Sequence, residues 1–140
     1  HRKVIAIDGD GAFLMNLCGL PTIALQNPPN LIHLLFDNGV YEASGGTPTA
    51  SHVADAVSLA QGAGYPHACW VHTPEEFRAE FLEARQGNRL TLIAVKVDPG
   101  QPKTLPPLKL DELENKYLFM RYLERTENKA ILSPGFDSKI

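Results

Sequence analysis

Apolar and polar positions along the chain alternate between two kinds of pattern. Lys3 to Asp8, Leu31 to Phe36, His67 to His72 and Leu90 to Val97 are short, nearly continuous apolar runs, several rich in β-branched residues. Such runs read as strands buried in a sheet that is covered on both faces. Between them the apolar residues take helical spacing. Phe13, Leu14, Leu17, Leu20 and Ile23 predict a helix from about Ala12 to Gln26, with Pro21 kinking it or splitting it in two. Val53, Ala56, Val57 and Ala60 predict a second from His52 to about Gly62, capped by Ser51. Thr73-Pro74-Glu75-Glu76 opens a third, to about Gln86: a cap residue, proline at the first position, then acids in the first turn. Leu113, Tyr117, Phe119, Met120 and Leu123 predict a last helix from Asp111 to about Arg125. Strand and helix in alternation call for an α/β fold, an open parallel sheet with helices on both faces. One domain is expected over residues 3–126. A proline-rich crossing segment, Asp98 to Pro107, precedes the last helix, and a loosely held tail is expected over 127–140.

Two polar anchors break this pattern where strands run out. Gly9-Asp10-Gly11 follows the first apolar run, and Asp37-Asn38 follows the second. Ligands of open parallel sheets collect at the carboxyl ends of the strands, so two anchors at two such ends can hold one ligand between them. Glycine lets backbone approach a ligand closely, and a helix start offers N–H groups to phosphate. Asp10 is a hard oxygen donor inside that turn, and Asn38 can supply an amide oxygen. Carboxylate, amide oxygen and phosphate together suit Mg²⁺. The chemistry is that of a metal-bridged diphosphate site. The glycine-rich stretch from Asn38 to Ser51 has no period and reads as a functional loop.

Gly9-Asp10-Gly11, then residues 12–36, 25 in all, then Asp37-Asn38, resembles the thiamine-diphosphate fingerprint in which GDG precedes an Asn-Asn pair. The first Asn of that pair is Asp37 here, and the position after GDG, often Ser or Thr, is Ala12. Asn38-Gly39-Val40-Tyr41-Glu42-Ala43-Ser44-Gly45-Gly46 is similar to the sulfopyruvate and phosphonopyruvate decarboxylase branch of that family. The resemblance implies a thiamine-diphosphate-binding fold and a thiamine-diphosphate-dependent 2-oxo acid decarboxylase, a carbon–carbon lyase. It implies Mg²⁺ held by Asp10, Asn38 and the Val40 carbonyl, with Gly9, Gly11 and Ala12 offering backbone to the diphosphate. Tyr41, Glu42 and Ser44, with Gly45 and Gly46, would line the reacting side of the cofactor. The family also uses a glutamate on a separate pyrimidine-binding domain or subunit. The chain alone is therefore expected to be inactive, with its active site completed at an interface in an oligomer. Opening on His1 and entering a strand at once, it is expected to be a piece of a longer polypeptide or a processed or trimmed subunit, and the resemblance implies a further strand and helix upstream.

Composition narrows the partners. A net charge of −3 gives no drive toward nucleic acid or an anionic membrane, and no run approaches a membrane span. Cys18 and Cys69 form no CxxC, which suits a reducing cytoplasm and two thiols acting as small apolar residues. Other readings use the same residues. Asp8-Gly9-Asp10-Gly11 also resembles the DxDGT motif of haloacid-dehalogenase-like phosphatases, with Asp8 as nucleophile and Asp10 as general acid, although Ala12 replaces the Thr and no later acidic pair completes a Mg²⁺ site. A dinucleotide turn would need glycine where Leu14 stands. Another thiamine-diphosphate enzyme, a synthase or an oxidoreductase subunit, shares the anchors, and a scaffold module would use none of them. His67, Cys69 and His72 resemble metal ligands on paper, but on a strand 67 and 69 face one side and 72 the other. His33 reads as a core histidine, and His52, at the end of the loop, reads either as approaching the substrate or as simply exposed.

Overall fold

A computed structural model describes residues 2–100, 104 and 111–131. The chain forms two compact units, residues 1–101 and 102–140, a division inside the span expected to be one domain. Residues 132–140 of the expected tail, 101–103 and 105–107 of the proline-rich segment, and 108–110 after it lie outside the described residues.

The first unit is a parallel four-stranded sheet. Its strands are β1 (Val4–Gly9), β2 (Leu31–Asp37), β5 (His67–Val71) and β6 (Thr91–Lys96), in the order β1-β2-β6-β5. A small antiparallel pair, β3 (Val40–Tyr41) and β4 (Thr47–Pro48), projects beyond β2. Helices cover both faces, as the apolar pattern predicts. Phe13 of α1 (Asp10–Met15), Leu20 of α2 (Gly19–Gln26) and Ala56, Val57 and Ala60 of α3 (Ala56–Gly62) pack with Leu35, Leu92 and Ala94 on one face. On the other face α4 (Pro74–Gln86) lays Phe77, Phe81 and Ala84 over Ile32, Leu34, Val71 and Ile93. The central strands are thus sealed: Ile32, Leu35, Leu92 and Ile93 expose nothing to solvent. Each such side chain contributes about 1.5–3 kcal/mol of apolar burial.

Three local expectations are corrected. The first helix is two helices, and the break falls at residues 16–18 rather than at Pro21. Pro21 sits in the first turn of α2, where its missing N–H has no intrahelical partner to lose. The third helix begins four residues later than Ser51 suggests. Asp55 caps it, accepting from Ser58 N at 2.7 Å, while Ser51 lies in a separate 3-10 turn, Ala50–His52. Strand β1 is not buried: Val4, Ile5 and Ile7 are 52, 45 and 67 % exposed. It is the edge strand, and α4 packs over β5 and β6 at the far side of the sheet. The cap of α4 is as read: Thr73 Oγ1 accepts from Glu76 N at 3.1 Å, with Pro74 at the first position.

Asp55 yields a pH prediction. Its hydrogen bonds to Ser58, side chain first, and to Trp70 Nε1 at 2.8 Å hold its carboxyl below the usual 3.8. A depressed folded-state value stabilises above the unfolded value and is lost as pH falls through the folded one. Asp55→Asn keeps a cap and removes the charge. Melting temperature measured from pH 7 down to 2 should fall less steeply in Asp55→Asn than in the parent, with the two curves parallel above pH 5.

The second unit contributes one described helix, α5 (Glu112–Glu127). Asp111 Oδ1 accepts from Leu113 N at 2.8 Å at its start, and Asn128, with φ 49°, closes it in the left-handed region.

Candidate functional site

The two anchors meet. Strand β1 runs to Gly9, and α1 starts at Asp10 with no intervening loop and no side chain capping it. In the parallel register Gly9 stands beside Phe36, so β1 and β2 deliver their carboxyl ends side by side. Beyond Asp37 the chain turns through Gly39, at φ 74°, into β3 and a 3-10 turn at Glu42–Ser44. A cavity of about 340 Å³ opens between these segments. Gly9, Asp10, Gly11 and Ala12 line one side of it; Asn38, Val40, Tyr41, Glu42 and Ser44 line the other. The residues singled out in sequence as metal and cofactor contacts, with Ser44, thus surround one space, while Gly45, Gly46 and His52, also expected on the substrate side, do not line it.

Its polar groups are held firmly. Asp10 is 3 % exposed, and Thr49 Oγ1 donates to its Oδ2. Asn38 Oδ1 accepts from Val40 N at 3.1 Å, and its amide donates to Glu42 Oε2 at 3.0 Å. Asn38, Val40 and Glu42 therefore share one rigid turn.

Beside the cavity lies a polar network that the sequence did not disclose. Asp37, 2 % exposed, accepts from Gly39 N at 3.0 Å, from Ser51 Oγ at 2.9 Å and from Lys96 Nζ. The Ser51 and Thr49 hydroxyls stand 3.0 Å apart, so Lys96, Asp37, Ser51, Thr49 and Asp10 form a continuous polar chain linking the two anchors. Lys96 ends β6 directly opposite Asp37 in the register. One polar residue closing an apolar strand was the available signal, but only the strand order pairs it with Asp37.

Gly11 is required by shape. A Cβ there would stand 2.6 Å from Tyr41 Cε1 and 2.7 Å from Cδ1. Gly11→Ala should lower the melting temperature by several degrees and weaken cofactor binding about tenfold, despite the ~1 kcal/mol that alanine adds to a helix interior. Tyr41→Ala in the same chain should recover the melting temperature. A Gly11→Ala chain as stable and as tight-binding as the parent would show that the ring yields freely.

Asp8 lies elsewhere. Its carboxylate takes His33 Nε2 at 2.8 Å, and His33 Nδ1 reaches Tyr65 Oη at 3.4 Å. Burial, then the Asp8 charge, pushes the Tyr65 hydroxyl up to about 12. Asp8 does not line the cavity, so it and Asp10 do not converge as a phosphatase pair would. A larger cavity of about 660 Å³ against α4, lined by Phe77, Phe81 and Val95 among others, has no carboxylate or Asn in its wall. His52 approaches Gly39, its Cε1 3.2 Å from where a Cβ would stand, outside the 340 Å³ cavity.

Residues 1–95 match the family described as thiamine pyrophosphate enzyme, C-terminal TPP binding domain. The chain belongs to that family. A phosphonopyruvate decarboxylase of Streptomyces hygroscopicus is 36 % identical over 113 residues, 75 % of this chain and 28 % of the relative. The sulfopyruvate decarboxylase subunit beta of Methanocaldococcus jannaschii is 35 % identical over 129 residues, 89 % and 65 % of the two chains. The crystal structure of benzoylformate decarboxylase from Polynucleobacter necessarius shares the fold, with a TM-score of 0.60 at 24 % identity, over 76 % of this chain and 21 % of that one. This thiamine pyrophosphate-binding domain thus spans roughly a quarter to two thirds of the relatives it matches. Among its described residues no helix is long and apolar enough to cross a membrane.

Proposed function

We propose that this domain holds the diphosphate and Mg²⁺ of thiamine diphosphate in a 2-oxo acid decarboxylase of the sulfopyruvate or phosphonopyruvate kind. The observation that carries this is the single cavity shared by Asp10, Asn38 and Val40. A buried carboxylate, an amide oxygen and a backbone carbonyl are hard oxygen donors, and they fit a metal that keeps part of its shell for phosphate. Asp10, Asn38 Oδ1 and the Val40 carbonyl would hold Mg²⁺, while the backbone of Gly9, Gly11 and Ala12 approaches the diphosphate. When bound, thiamine diphosphate supplies the nucleophilic thiazolium carbon and the electron sink for loss of CO₂. This chain binds and orients. Thr49 Oγ1 donates to the Asp10 carboxylate, the Asx turn at Asn38 holds the Val40 N–H, and Tyr41, Glu42 and Ser44 form the wall toward the substrate.

The partner in this proposal is a pyrimidine-binding domain or subunit bringing the glutamate that activates the cofactor, and the active site closes between the two. Relatives named as a beta subunit support it. The test is CO₂ release from 3-sulfopyruvate or 3-phosphonopyruvate, without an electron acceptor, by the chain alone and by the chain with its partner. Release only from the mixture is expected. Turnover by the chain alone would overturn the shared-site reading, and hydrolysis of a chromogenic phosphate ester with Mg²⁺ would return Asp8 to consideration.

A further inference from the structure

We propose that His67, Cys69 and Glu80 form a second metal site, one for a divalent ion of the zinc class. It does not depend on the cofactor reading. Alternation along β5 turns His67, Cys69 and Val71 to the face that α4 covers, and Cys69 and Val71 pack in that core. Glu80 meets them from α4, its Oε2 3.2 Å from His67 Nε2. The ligand atoms of the three residues all lie within 4.8 Å of one another. His72, expected on the opposite face of the strand, stays apart: its backbone N–H donates to Glu76. The missing third ligand is on the next helix, where strand spacing could not show it.

The donor set selects the ion. A thiolate, an imidazole and a carboxylate suit a borderline metal such as Zn²⁺ and not Mg²⁺ or Ca²⁺. With bonds of 2.0–2.3 Å, tetrahedral ligand atoms stand roughly 3.5 Å apart, so the group must close by about an ångström. Glu80 Oε2 already stands 3.2 Å from His67 Nε2, so the closing falls to side-chain rotation at His67 and Cys69. The side chains of His67 and Glu80 are 25 and 31 % exposed, which leaves a fourth position open to water. Burial, then the Glu80 charge, pushes the Cys69 thiol up to about 11. A bound cation would offset the proximity of sulfur and carboxylate that otherwise disfavours the thiolate. His67 pairs with Thr91 where β5 and β6 begin, the opposite end of the sheet from the cofactor cavity. An ion there would tie the edge strand β5 to α4, a structural clasp rather than a catalytic centre.

Co²⁺ is the probe, added to the full chain under a phosphine reductant. The expected result is a near-ultraviolet thiolate-to-cobalt band with tetrahedral d–d absorption, both bleached by Zn²⁺. Cys69→Ser should abolish the near-ultraviolet band and Cys18→Ser should leave it intact. His67→Ala should weaken Co²⁺ binding about 100-fold, roughly one ligand's share of a structural zinc site. Glu80→Gln, about a third exposed on its helix, keeps the fold testable if the strand variants do not fold, and should weaken binding at least about tenfold. No thiolate band in the parent chain, a band that survives Cys69→Ser, or unchanged affinity in Glu80→Gln would each overturn the site.

Discussion

Asp10→Ala is expected to weaken Mg²⁺-dependent binding of thiamine diphosphate by at least about 100-fold, the scale of losing a charged partner in a buried site. The chain itself should stay folded. Asp10 is almost wholly buried, and its partner is a hydroxyl, not a cation. A carboxylate so placed destabilises the metal-free chain slightly, because desolvation is offset only in part. Its removal should therefore leave the melting temperature unchanged or raise it, while the shift that Mg²⁺ and cofactor give the parent disappears. Thr49→Val, which frees the Asp10 carboxylate to rotate, should give a smaller loss of the same kind. Thermal melts with and without Mg²⁺ and thiamine diphosphate check both. A cofactor-induced shift in Asp10→Ala equal to the parent's would remove Asp10 from the site.

Lys96→Met is expected to be the costliest single change to stability around the site. It leaves Asp37, 2 % exposed, as a buried carboxylate without its cation. Breaking a fully buried pair costs about 3–5 kcal/mol; the Lys96 side chain is 54 % exposed, so about 2–3 kcal/mol is the expectation here. In a chain of this size that is a fall of roughly 6–10 °C in melting temperature. Asp37→Asn on top should recover most of it. A neutral amide can still accept from Gly39 N and Ser51 Oγ, and it needs no counter-charge. The pair should therefore show a strong double-mutant coupling. Additive losses in the double variant would mean that Lys96 acts through its stacking on Trp70, 5.1 Å from the ring centroid, and not through Asp37.

The Lys96–Asp37 pair accounts for one of the two departures from the fingerprint; Ala12 is the other. Where the pattern has two Asn, this chain has Asp37-Asn38, and the structure supplies a lysine for the extra charge. The anchors were legible because they are local: Gly9 to Gly11 and Asp37 to Asn38 each sit where one strand ends. The parallel sheet was legible because Leu31 to Phe36 and Leu90 to Val97 are apolar without alternation. The exposure of Ile5 and Ile7 was not, since a run of apolar residues reads alike in a central strand and in an uncovered edge. Asp55 was missed as a cap because Ser51, four residues earlier, carries an equally good cap side chain. Lys96, Thr49 and Glu80 were missed for a common reason: each meets its partner through the order of strands and helices, which local pattern does not carry.

The central claim is that this chain by itself holds a metal-bridged diphosphate. Calorimetric titration of thiamine diphosphate into the full chain, once with Mg²⁺ and once with EDTA, tests it most directly. One-site saturable heat with Mg²⁺, none with EDTA, and competition by inorganic diphosphate are the predicted result. Equal heats in the two titrations, or none in either, would contradict it.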